Sequence, residues 1–311
     1  MCSGEIGAVL NVGPDSAQGA QTAQRSCRLS DGSMMRYRDF GAGPVLLLVH
    51  GWAASGDFFD SVADQLASEF RIVIPDLRAH GDTPAGTGRL DIDLLASDLQ
   101  ALVEALDLTG ITALGWSMGA TVLWQMIVRN GHARFAGLII EDMSPRILNT
   151  ADWALGMATG MDIDGSGRAI EAMRDDWPAY AAAFAPRMFA RGRAARETEM
   201  IADIVARLSR RDGRAMADLW LSMANQDLRE ALPTMNLPTL VISGARSEAY
   251  GPGTSRYLVE VLPEAQSITF ANSGHAPHLE EPQEFVRAVA QFANRVRAAA
   301  VTNHHIEGKQ S

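Results

Sequence analysis

The sequence predicts an α/β fold: a mostly parallel, doubly wound sheet with helices on both faces and a helical cap inserted before its last strands. Three observations carry this expectation. Short, largely apolar runs of strand length (45–49, 71–75, 111–116 and 137–142) alternate with segments whose apolar residues recur at helical spacing. Runs such as Val45-Leu46-Leu47-Leu48-Val49 are apolar throughout, which suits strands covered on both faces, as parallel strands are. The alternation then stops at Ser144, leaves about ninety residues with helical patterning and no convincing strand, and resumes at Leu237. Right-handed crossovers turn such an order into a parallel sheet with helices on both faces.

Residues 1–28 are rich in Gly, Ala, Ser and Gln without periodicity, so a flexible arm is expected, with the fold starting after Cys27. Residues 34–40 read as a first strand, turned by Gly41-Ala42-Gly43-Pro44 into the strand 45–49. Phe58, Phe59, Val62 and Leu66 place a helix from 56 or 57 to about 68, ahead of the strand 71–75. A helix over 91–106 carries Ile92, Leu95, Leu99, Leu102, Val103 and Leu106 on one side. The strand 111–116, a helix over 120–128 and the strand 137–142 follow. After the interruption come a strand at 237–244, a helix at 254–261, a strand at 266–270 and a helix at 282–297. The expected organisation is a core of 29–143 and 236–297, a cap of 144–235 over the C-terminal strand ends where open α/β sheets bind ligands, and a polar, disordered tail of 298–311.

With 311 residues, 47% hydrophobic and 21% charged, the chain has the composition of an ordinary globular protein. A net charge of −10 argues against nucleic acid or an anionic membrane as partner, because no basic excess exists to neutralise phosphates. Cys2 and Cys27 both precede the first expected strand, so no disulfide framework or cysteine metal site is implied and a reducing compartment fits. Residues 1–10 lack the basic and apolar regions of a signal peptide, and no run of about 18 apolar residues occurs; a cytoplasmic protein is expected.

The chemistry centres on Gly115-Trp116-Ser117-Met118-Gly119, placed between an apolar strand and a helix without breakers. A serine hydroxyl is inert at its free pKa and must stand clear of the backbone so that a base reaches one side and a carbonyl the other. Glycines two before and two after relieve the crowding of such a turn. The base is found in Asn272-Ser273-Gly274-His275-Ala276-Pro277-His278, a turn-rich loop past a strand, which brings His275 to the sheet edge that bears Ser117. His278 is expected to pack or cap locally, and His50 and His80 to brace loops.

These motifs, together with His50-Gly51-Trp52 and the segment Asp76 to Gly81, occur in the order that resembles the α/β-hydrolase superfamily, over about residues 28–297. The resemblance implies the α/β-hydrolase fold with a cap, Ser117 as nucleophile and His275 as general base. It also implies an oxyanion hole made by the backbone N–H groups of Trp52 and Met118. The third member departs from the pattern. Relatives usually carry an aspartate three residues beyond the glycine that ends the strand after the cap, and counting from Gly244 lands on Ser247. Glu248 lies one residue late. The other candidate is Asp142, at the end of the strand after the nucleophile helix, a position from which some relatives supply the acid, and it is favoured here. Glu141, one residue back, should point the other way.

The expected function is a serine hydrolase of a small, apolar carboxylic ester, thioester or lactone, working through an acyl-enzyme without metal or cofactor. The alternative is a cofactor-free dioxygenase or C–C lyase in which His275 and Asp142 deprotonate the substrate. A third reading is a ligand receptor on the same scaffold. No sequence feature fixes the oligomeric state.

Overall fold

The computed structural model describes residues 24–193 and 197–307, with side chains to residue 299. Its strands are β1 (Gln24–Arg28), β2 (Met34–Gly41), β3 (Val45–Val49), β4 (Arg71–Pro75), β5 (Ile111–Trp116), β6 (Phe135–Glu141), β7 (Thr239–Gly244) and β8 (Ala265–Phe270). They form one sheet in the order β1-β2-β4-β3-β5-β6-β7-β8. The β1–β2 and β2–β4 pairs are antiparallel, and every pair from β4 to β8 is parallel. All residues of β5 and β7, and all but the first of β3 and β4, are buried, which is why these segments are apolar without alternation.

Helices α1 (Asp60–Leu66), after a 3-10 turn at Gly56–Phe59, and α2 (Ile92–Ala105) and α3 (Met118–Asn130) follow β3, β4 and β5. α2 starts where the Asp91 carboxylate accepts from the Leu94 N–H at 2.8 Å, and its buried stripe of Ile92, Leu95, Leu99, Leu102 and Val103 is the one visible in the sequence. α8 (Pro252–Val261) packs on β7 and β8, and α9 (Pro277–Glu280) leads into α10 (Pro282–Glu307), which packs on α1 and β6. Between β6 and β7 lies a helical insertion, α4 (Ile163–Asp175), α5 (Trp177–Phe184), α6 (Thr198–Leu208) and α7 (Gly213–Ala224). Aspartates 162, 176 and 212 cap α4, α5 and α7, and Pro178 near the start of α5 costs no hydrogen bond there. No described helix is long and apolar enough to cross a membrane.

Two boundaries differ from expectation. The arm expected over 1–28 ends earlier, because Gln24–Arg28 is an edge strand paired in register with β2, with Cys27 buried on it. A polar edge strand that buries one residue in five leaves no apolar run to find. Residues 1–23, Cys2 among them, lie outside the described residues. The tail expected over 298–311 is helical as far as Glu307, since Ala298-Ala299-Ala300 extends α10 with no Gly or Pro to stop it. Residues 308–311 lie outside the described residues.

Candidate active site

The C-terminal ends of β3, β5, β6, β7 and β8 converge on one site. Ser117 joins β5 to α3 with φ 51° and ψ −121°, a conformation a non-glycine residue holds only where its surroundings impose it. The imposition is steric. A Cβ on Gly119 would stand 2.1 Å from the Val49 carbonyl oxygen, and one on Gly115 would stand 2.5 Å from the Ala120 nitrogen, so strand and helix can close around the serine only with glycine at both places. The Ser117 N–H is tied to the Glu141 carbonyl at 2.9 Å. Met118 opens α3, and its N–H belongs to the first turn, where amides lack helical partners and the helix dipole is positive.

The loop after β3 passes close by, since a Cβ on Gly51 would lie 3.3 Å from the Ser117 Cβ. Two histidines brace it. His50 Nε2 accepts from the Leu77 N–H at 3.0 Å, so its proton sits on Nδ1, 2.8 Å from the Gly51 carbonyl. His80 Nε2 accepts from the Ala53 N–H at 3.0 Å, with Nδ1 on the Arg78 carbonyl. Burial holds His50 below the usual 6.5 and His80 well below it, which keeps both neutral and able to accept. Ala53 takes φ 63°, and Arg211 from the insertion donates to its carbonyl at 3.1 Å and to Ser55 Oγ at 2.8 Å. Trp52 Nε1 donates to the Met216 carbonyl at 2.9 Å, and its ring meets Trp177, Phe184 and Trp220 edge-on.

His275 lies in the loop after β8, buried, with its N–H on the Met188 carbonyl at 2.9 Å and its carbonyl taking the Trp116 indole N–H at 2.8 Å. Its Nδ1 is 2.7 Å from Asp142 Oδ2. A carboxylate accepts only, so Nδ1 carries a proton, and in the neutral ring Nε2 is the nitrogen with the lone pair. Asp142 follows β6 at φ 47° with its N–H on the Ile242 carbonyl at 2.8 Å. The structure therefore brings Asp142, the favoured of the two carboxylates, to His275. It does not bring Glu248 there: that side chain pairs with Arg191 at 3.0 Å. Glu141 points the other way, as strand alternation requires, and meets His278 Nδ1 at 2.8 Å, both side chains fully buried.

Ser117, His275, Trp52 and Trp116 share a cavity with Met157, Met161, Tyr180, Phe184, Met188 and Met223 of the inserted segment, and Arg187 and Glu248 also line it. The cavity is about 60 Å³, room for roughly two waters, so the groups within it act in a mostly apolar, water-poor setting. A larger groove of about 470 Å³, lined by Arg38, Asp57, Asp76, Asp82, Arg207 and Arg210, contains none of them, and charges such as Arg207 and Asp57 pair there at 3.0 Å.

The sequence model of the alpha/beta hydrolase family matches residues 46–288. The chain belongs to this family. Pimeloyl-[acyl-carrier protein] methyl ester esterase of Stenotrophomonas maltophilia (strain K279a) is 27% identical over 252 residues, covering 81% of this chain and 93% of its own. A solved structure of a thermophilic esterase from Thermogutta terrifontis is 26% identical with a TM-score of 0.77, covering 88% of this chain and 99% of its own. The esterase from Exiguobacterium antarcticum, at 22% identity, shares the fold with a TM-score of 0.81 over 86% of this chain and 98% of its own.

Three features of this alpha/beta hydrolase escaped sequence reasoning. Ser247 donates to Asp142 at 2.6 Å, Glu280 accepts from the Ala190 N–H at 2.8 Å and from the Gly274 N–H, and Glu141 pairs with His278. Only the last left a signal, in an adjacent acid pair at 141 and 142 and two histidines three residues apart at 275 and 278.

Proposed function

We propose that this alpha/beta hydrolase is a serine esterase in which Ser117 attacks the carbonyl carbon of a small, apolar ester, thioester or lactone. The observation that carries the reading is His275, oriented by Asp142 at Nδ1 and lining the same apolar cavity as the elbow serine. His275 Nε2 takes the Ser117 proton as the carbon–oxygen bond forms, and the Trp52 and Met118 N–H groups receive the oxyanion. Collapse expels the alcohol or thiol, which leaves with the proton from His275. Water, deprotonated by the same nitrogen, then releases the acid and frees Ser117.

Family membership and the esterase relatives support a hydrolase acting on ester bonds. The inserted helices act as a lid: they supply the methionines and aromatic rings of the cavity, whose lining adapts to apolar groups of differing shape. The cavity takes a short acyl group as it stands, and a longer one requires those side chains to move. The Stenotrophomonas relative adds methyl esters to the substrates worth testing.

The test is hydrolysis of p-nitrophenyl acetate, p-nitrophenyl butyrate and methyl butyrate by the wild type and Ser117→Ala. Turnover that falls by about 10³-fold or more with the serine is expected. Oxygen uptake without ester turnover would replace this reading with the cofactor-free oxygenase or lyase that the Asp142–His275 pair also permits.

A further inference from the structure

Ser247 stands three residues beyond β7, and its hydroxyl is the meeting point of several bonds. Its Oγ accepts from the Ala249 N–H at 3.1 Å and the Tyr250 N–H at 3.3 Å, and donates to Asp142 Oδ2 at 2.6 Å. The two amides can only donate, so the hydroxyl hydrogen is committed to the carboxylate. The same Oδ2 receives His275 Nδ1 at 2.7 Å. Among the described residues, His275 and Ser247 are the side chains that bond this carboxylate.

Asp142 needs such a restraint. It sits on a left-handed turn past the end of β6, and its carboxylate is free to rotate unless held. Ser247 holds it through the same oxygen that meets the imidazole, and two backbone amides hold Ser247 in turn. The chain Ala249/Tyr250 N–H, Ser247 O–H, Asp142 carboxylate, His275 N–H is a polarised series running from a half-buried hydroxyl to a buried carboxylate and imidazole.

We propose that Ser247 is a positioning residue of the hydrolytic site, fixing the Asp142 carboxylate against His275. The inference rests on Asp142 being the acid of the proposed esterase.

The experiment measures kcat and KM for p-nitrophenyl butyrate with Ser247→Ala, Ser247→Thr, Asp142→Asn and the double variant Asp142→Asn/Ser247→Ala, each checked for cooperative melting. Ser247→Ala is expected to lower kcat by about tenfold with KM unchanged, the cost of one hydrogen bond to a charged group. Ser247→Thr, which keeps the hydroxyl, recovers most of that loss. The double variant is expected to lie within about threefold of Asp142→Asn, because a residue that acts only through the carboxylate has nothing left to position. Wild-type kcat in Ser247→Ala, or a further loss of about tenfold when it is added to Asp142→Asn, overturns the proposal while leaving Asp142 as the acid. Full activity in Asp142→Asn would instead remove the reading on which it rests. If Ser247→Ala does not fold, Ser247→Cys takes its place in both variants, since a thiol is only a weak donor.

Discussion

Replacing Asp142 by asparagine removes one charge and leaves the shape of the side chain almost unchanged. The carboxylate is buried and 2.7 Å from His275 Nδ1, so when the imidazole takes the serine proton the two charge centres stand roughly 4 Å apart. At an effective dielectric of about 20, their attraction is about 4 kcal/mol, which corresponds to roughly 10³-fold in kcat. The amide also offers a donor to Nδ1, which favours the tautomer with its proton on Nε2, where the lone pair is needed. Glu248→Gln provides the contrast. It removes a surface ion pair with Arg191, whose side chain is 84% exposed, and such pairs contribute about 0–1 kcal/mol. With p-nitrophenyl butyrate, kcat should fall by about 10³-fold in Asp142→Asn and by no more than about fivefold in Glu248→Gln. A folded Asp142→Asn within tenfold of wild type, or an equal loss in Glu248→Gln, would refute the reasoning.

Two further outcomes concern the frame around the site. An unfolded chain protonates His50 and His80 near 6.5, whereas burial keeps both neutral in the folded chain to lower pH. Their contribution to stability is therefore complete above 6.5 and is lost as the pH falls below it, by up to about 1.4 kcal/mol per pH unit for each histidine. Urea unfolding between pH 8 and 5.5 should show this fall, and His80→Gln should flatten it; an equal slope in the variant contradicts the assignment. Arg78 has no exposed surface and binds Asp98 at 2.7 and 2.9 Å and Asp31 at 2.6 Å. Arg78→Met strands the buried Asp98 carboxylate and should cost about 3–5 kcal/mol, or roughly 10 °C in Tm, with part regained in Arg78→Met/Asp98→Leu. Additive losses in the double variant would show that the two do not act as a pair.

The parts of the fold legible in the sequence are those whose residues report their own burial. β3 and β4 match the apolar runs 45–49 and 71–75, and the stripe from Ile92 to Val103 reports the buried face of α2. β1 was invisible because an edge strand can be polar, and the end of α10 because a polar helix and a polar tail share a composition. The elbow and His275 were legible because their chemistry demands glycines and turn formers nearby. The carboxylate beside His275 was legible in part: the sequence favours Asp142 and turns Glu141 away, as the fold does, but the choice against Glu248 needed the fold, which sets Glu248 on Arg191. Ser247 showed only that it could not itself be the acid. Its bond to Asp142 joins residues 105 positions apart, and such a contact exists only once β6 and β7 lie side by side. The same holds for Trp52, whose indole is held by Met216 of the insertion.

The central claim is that Ser117 is the nucleophile, and covalent labelling tests it most directly. The wild type is treated with a fluorophosphonate, in which the serine oxygen displaces fluoride at phosphorus, and is digested and mapped by mass spectrometry. The expected result is one adduct on the peptide carrying Ser117, absent in Ser117→Ala and slowed in Asp142→Asn. An unlabelled Ser117 in active enzyme, or ester turnover that persists in Ser117→Ala, would contradict it.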